Sequence, residues 1–206
     1  PIGAACRERE ILFCVDAIQI LGALPFSAEQ AKADFVVADG HKWMLGPEGL
    51  ALFYCRQAVQ DKLTLRQHGW HMVANAGNYT TTDWQVANNA RRFECGSPNM
   101  LGAHALEASL SLLEEEGMAQ VAEALQDRVQ RLIDGLRERG ATLLSPVDRQ
   151  RRAGIVTFTL PDETPADTFQ RLRQAGVVCA ERGGGVRFSP HFYTDHSVID
   201  RALALL

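Results

Sequence analysis

Apolar and polar positions along this chain follow two rhythms. Between residues 11 and 55 the apolar residues come in short unbroken runs divided by turn residues. Ile11-Leu12-Phe13-Cys14-Val15 runs up to Asp16, Asp34 to Ala38 forms a second run, and Leu50 to Cys55 a third. Runs of this length predict strands, and their lack of alternation predicts cover on both faces, as in α/β sheets. Phe26 to Gln30 reads as a short helix capped by Ser27. From Leu101 to Gly140 the rhythm becomes helical. Leu106, Leu110, Leu112 and Leu113 are placed on one stripe, and Gly117 ends that helix. A second helix, roughly Met118 to Arg139, carries Val121, Leu125, Val129, Leu132, Ile133 and Leu136, with Gly140 as its stop.

The remainder predicts a small α/β unit. Gly154 to Leu160 is a strand, Thr164 to Ala175 a helix, and Val177 to Ala180 and Val186 to Ser189 two further strands. Asp195 to Leu206 is a terminal helix capped by Thr194 or Asp195. Between these parts, residues 68 to 93 are polar and aromatic with little periodicity, which predicts a long functional loop. The boundary between the two parts is expected near 94 to 100. Gly183-Gly184-Gly185 lacks the lysine and hydroxyl of a phosphate loop and reads as a tight turn between strands.

Composition narrows the classes. The 206 residues are 46% hydrophobic and 22% charged, with a net charge of −4. No basic stripe points to nucleic acid, and no apolar stretch approaches membrane-spanning length. No signal peptide is recognisable, so a cytoplasmic location is expected. The abrupt start at Pro1 reads like a piece cut from a longer chain. Five cysteines in irregular spacing, with no CxxC, predict reduced, partly buried thiols. His191 and His196 lack a third partner, so no metal site is expected.

The chemistry concentrates at two strand ends. Asp16 ends the first run, in VDAIQ, and the second run leads into ADGHKWMLGPEG. Ligands of open α/β sheets bind beyond the carboxyl ends of strands. Taken alone, Asp16 reads as a helix cap and Lys42 as a solvated loop charge. Together they place a carboxylate and an amine where both could face one ligand.

VDAIQILGALP, ADFVVADGHKWMLGPEGLALFY, RFECGSPN and GVRFSPHFY, in this order, resemble the class V aminotransferases. That branch of the fold-type I pyridoxal-phosphate enzymes includes cysteine desulfurases, kynureninases and isopenicillin N epimerases. The resemblance covers essentially the whole chain and implies an α/β fold. Residues 1–93 would be the rear part of the large, cofactor-binding domain, with a mostly parallel sheet. Residues 94–206 would be linker helices and a small α/β C-terminal domain. A sheet cut in this way would expose an edge and apolar surface.

The resemblance also assigns roles. Lys42 would form the internal Schiff base with pyridoxal 5'-phosphate and then move the substrate's α-proton. Asp16 would pair with the pyridine nitrogen, Gln19 would donate to the ring's phenolic oxygen, and His41 would contact phosphate or orient its neighbours. Ser97, in the Gly96-Ser97-Pro98 turn, would reach the phosphate of the other subunit of a homodimer. Its alternative is a cap on the helix that follows. Arg187 would grip the α-carboxylate of an amino-acid substrate, while Arg182 reads equally as a surface ion pair.

Two departures stand out. Desulfurases carry a nucleophilic cysteine on a mobile loop where this chain has only ERGGG, and Cys179 sits before it in the apolar run VVCA. Relatives often place serine where this chain has Asp39. The expected reaction is therefore transamination of an amino acid. Desulfurase, lyase or epimerase chemistry, or a non-catalytic half-site, are the alternatives. Trp70, His71 and Tyr79 would either line the substrate pocket or pack the long loop.

Overall fold

The computed structural model describes all 206 residues. The first strand, β1 (Cys14–Asp16), pairs in parallel with β2 (Phe35–Asp39), and β2 pairs antiparallel with β3 (Ala51–Cys55). A helix the sequence pattern did not signal, α1 (Ile2–Glu8), precedes them. Between β1 and β2 lies α2 (Ala28–Ala31), where Ser27 Oγ accepts from the Gln30 amide as expected of its cap. Then come the long helices α3 (Met100–Glu116) and α4 (Met118–Glu138). The remaining elements are β4 (Thr142–Leu143), β5 (Val156–Thr159), α5 (Pro165–Gln174), β6 (Ala180–Arg182), β7 (Gly185–Phe188) and α6 (His196–Ala204). No helix is long and apolar enough to cross a membrane.

The chain divides into two packed units. One holds Pro1–Leu21 and Phe26–Leu112; the other holds Gly22–Pro25 and Leu113–Leu206. The division therefore falls inside α3.

In the first unit, one face of the three-stranded sheet is packed. Val36 and Ala38 meet Ala17, Ala33, Met44 and Leu106 there. The other face is covered only at one end, where Phe35, Cys55 and Val59 pack with Leu63 and Phe93. Toward the carboxyl ends of β1 and β2 that face is open: Val37 is 37% exposed and its β3 partner Phe53 42%. Cover on both faces, predicted from the unbroken apolar runs, is thus corrected for this end. An unbroken run gives composition, whereas cover depends on what packs against it. The run at 11–15 is likewise shifted: Ile11 and Leu12 are exposed, and the ladder begins only at Cys14. Asp34 fastens the opposite end of the sheet. Its Oδ2 accepts from the Phe13 amide at 2.9 Å and its Oδ1 from Arg56 Nε at 2.8 Å.

The second unit has a four-stranded antiparallel sheet in the order β4-β5-β7-β6. Val156, Phe158, Val186 and Phe188 form its buried side, with Phe158 and Phe188 in edge contact at 5.2 Å. The apolar stripe of α4 is buried as its 3.6-residue period predicts. Leu106, Leu110 and Leu113 of α3 are buried or half-buried, but Leu112 is exposed, because it lies about 100° round the helix from Leu113. Gly117 takes a positive φ of 81° and separates the two helices.

Candidate active site

The lysine turn is built from the backbone outward. After β2 the chain turns at Gly40, whose amide donates to Leu50 O at 2.9 Å, and the Gly46 amide returns to Gly40 O at 2.8 Å. These two bonds close residues 40–50 on themselves. Leu106 of α3 packs against Gly40 and Gly46, so a side chain at 46 would have to displace it and one at 40 would press on it. A Cβ on Gly46 would lie 2.6 Å from Leu106 Cδ1, and one on Gly40 would lie 3.1 Å from it. Gly49 turns the chain into β3 at φ 83°. Trp43 and Met44 sink into the interior, while Lys42 stays on the surface. Its ammonium group has no hydrogen bond or ion pair. Beside it, His41 is half-buried, and its buried Nδ1 has no hydrogen-bond partner.

The parallel register brings VDAIQ alongside. Asp16 pairs with Val37, and the Ala17 amide donates to Val37 O at 2.8 Å. Asp16 shares the open face of the sheet with Val37. Its Oδ1 accepts from the Ile18 amide at 3.1 Å, and Oδ2 is uncommitted. Gln19 follows in the turn, and its Oε1 accepts from Trp43 Nε1 at 2.7 Å. VDAIQ and HKW, 24 residues apart in the chain, are thus tied by their side chains as well as by the β ladder. By strand alternation Asp39 lies on the face of Asp16.

The GSPN segment is tied to the same turn. Asn99 Nδ2 donates to Gly49 O at 3.4 Å, and Asn99 Oδ1 accepts from the Gly102 amide at 3.0 Å. Asn99, and not Ser97, therefore caps α3. Ser97 is exposed and makes no hydrogen bond. The first unit accordingly brings together Asp16, Gln19, His41 and Lys42, with the Ser97 segment anchored to the turn. Of the long loop, Trp70 and Tyr79 are exposed, and Trp70 contacts both His71 and Tyr79.

Arg187 belongs to the second unit, on β7, with Thr157 and Ala180 as its cross-strand partners. It is half-buried, and its buried Nε lacks a hydrogen-bond partner. Arg182 is exposed on the edge strand β6. The glycine run makes a tight turn: Gly183 and Gly184 take φ of 64° and 79° and join β6 to β7. One correction falls here. Val177 to Cys179 precede the strand instead of forming it, and Val178 is 91% exposed. The hairpin register, counted back from the glycine turn, reaches only Ala180. Cys179 is half-buried, and burial raises its thiol pKa.

The mixed α/β architecture is that of part of a fold-type I pyridoxal-phosphate scaffold. A sequence profile of the family described as Aminotransferase class-V matches residues 1–201, and the chain belongs to that family. Among curated relatives, it is 28% identical to an uncharacterized aminotransferase, YcbU, of Bacillus subtilis over 96% of this chain and 51% of that protein. It is 27% identical to a probable cysteine desulfurase of Pyrococcus abyssi over 100% of this chain and 54% of that protein. The chain spans about half the length of the curated relatives it matches. Among solved structures, the cysteine desulfurase of Thermococcus onnurineus superposes with a TM-score of 0.88 at 24% identity, covering 99% of this chain and 54% of that one. Pyridoxal phosphate is the cofactor of the family, and the structure of a C-DES variant carries glycine covalently linked to it.

The residues present fit this group. They offer an unpaired exposed amine, an uncommitted carboxylate oxygen, an amide whose oxygen is already engaged, and an orphaned imidazole nitrogen, on the segments that end the paired strands β1 and β2.

Proposed function

We propose that this chain carries the lysine half of a pyridoxal-phosphate site, in a protein that acts on an amino acid by aminotransferase-type chemistry. The observation that carries the reading is the uncommitted Lys42 amine, held on a self-closed turn beside Asp16 and Gln19. When bound, the cofactor supplies an electron sink for the charge left at Cα after proton loss. The chain's own groups do the rest. Lys42 would hold the cofactor and, once released, would take the proton from Cα and deliver it to the cofactor carbon, the transfer that transamination requires. Asp16 presents an acceptor, Oδ2, to a protonated ring nitrogen and keeps it charged. Gln19 presents a donor to the ring oxygen. His41 and Ser97 present polar atoms to phosphate, Ser97 from a second copy of the chain. Arg187 offers two parallel N–H groups to the substrate carboxylate.

The desulfurase reading is favoured by the names of several relatives. Against it stand the two-residue turn between β6 and β7, which holds no cysteine, and the raised thiol pKa of Cys179, which disfavours the nucleophilic thiolate.

The test is a titration of the 206-residue chain with pyridoxal phosphate, followed by borohydride reduction and peptide mapping. The reading expects a saturable absorbance change and label on Lys42, both lost in Lys42→Ala. Label scattered over the surface lysines, equal in the variant, would mean that the chain holds no usable half-site.

A further inference from the structure

The tie between Trp43 and Gln19 settles a question of direction. A glutamine amide has an accepting end and a donating end, and rotation by half a turn exchanges them. An indole N–H can only donate. The atom 2.7 Å from Trp43 Nε1 is therefore the glutamine oxygen, and the NH₂ group is the end turned away. That NH₂ group makes no hydrogen bond within the protein. Trp43 is itself firmly placed, only 5% exposed and next to Met44 in the core cluster.

We propose that Trp43 is a positioning residue: its indole N–H locks the Gln19 amide so that only donors face the ligand. This rests on the reading of Gln19 as a contact to an acceptor oxygen of the cofactor. Without the lock, the amide could present its oxygen to that acceptor, and two acceptors repel. With it, the donor is set before the ligand arrives, and binding loses no free energy in orienting it.

The experiment combines Trp43→Phe, Gln19→Ala and the double variant. Phenylalanine keeps an aromatic ring in the site and removes the N–H. Binding of pyridoxal phosphate to the full chain is measured by absorbance titration. Trp43→Phe is expected to weaken binding about tenfold, the loss of one hydrogen-bond-sized contribution. In the Gln19→Ala background the same change is expected to cost nothing. An equal cost in both backgrounds would mean that Trp43 acts by packing, and would overturn the proposal. So would wild-type affinity in Trp43→Phe.

A second readout is independent of the cofactor. Hydrogen exchange of the Trp43 indole N–H, followed by NMR in the unliganded protein, is expected to be slow in wild type and fast in Gln19→Ala. Fast exchange in both would overturn the lock. Slow exchange in wild type alone, without any cofactor binding, would keep the lock and refute the functional reading instead.

Discussion

Asp34 provides the sharpest test of what holds the site's sheet together. It immediately precedes β2, is 5% exposed, and reaches residues that flank both neighbouring strands. Phe13 leads into β1, Arg56 leaves β3, and the carboxylate of Asp34 takes donors from both. Arg56 Nη2 adds a contact at 2.7 Å. Replacing Asp34 by alanine removes all of these bonds and leaves a guanidinium without its partner. Breaking a buried pair in this way costs about 3–5 kcal/mol. The Arg56 side chain retains 34% exposure and can be rehydrated, so the lower end applies, about 3 kcal/mol. That is a large share of the roughly 5–15 kcal/mol that holds a domain folded.

The assay is urea unfolding followed by tryptophan fluorescence, in Asp34→Ala, Arg56→Ala and the double variant. The pH dependence adds a second check. Burial raises the pKa of Asp34, but the Phe13 amide and Arg56 outweigh it, and the net shift is downward from 3.8. A lowered folded pKa gives stability that is fully present above the unfolded value and lost as pH falls through the folded one. The gap between wild type and Asp34→Ala is therefore constant above about pH 5 and closes in acid below pH 3.8. A midpoint for Asp34→Ala that matches wild type at neutral pH would refute the reasoning. So would a gap that widens in acid.

Two further outcomes are expected. Phe158→Ala, at a fully buried position in the second unit against Phe188, should cost about 3–5 kcal/mol in urea unfolding, and a cost below about 1 kcal/mol would contradict the packing described. Gly46→Ala should push the lysine turn away from Leu106, destabilise by about 1–3 kcal/mol and weaken pyridoxal-phosphate binding. Leu106→Ala in the same chain should restore the binding, and failure to do so would show that the collision is not the cause.

The parts legible in the sequence were those fixed by local periodicity or by a turn. Six buried residues of α4 followed from their spacing over twenty-one residues. The cap at Ser27 and the glycine turn after Arg182 followed from what those residue types do locally. Placing Asp16 and Lys42 at the carboxyl ends of adjacent strands needed only the strand order. What could not be read depends on distant partners. Val178 looked like strand because it is apolar, but the register of β6 is set by the turn that follows it. Ser97 and Asn99 are both plausible caps two residues apart, and only the start of α3 decides between them. The bond from Trp43 to Gln19 spans 24 residues and exists only once β1 and β2 are paired in register. The helix α1 carries no periodic stripe, since Gly3 alone is buried in it.

The turn that carries Lys42 is closed by Gly40, Gly46 and Leu50, and none of these bonds uses the lysine side chain. The Lys42 side chain therefore adds little to the stability of the turn, whose only bond at this position is from the Leu45 amide to Lys42 O at 3.1 Å. Lys42→Ala should leave the melting temperature nearly unchanged, giving a folded counterpart of the protein that lacks only the amine. Such a chain would serve as a matched blank, able to separate what the scaffold binds from what the amine does.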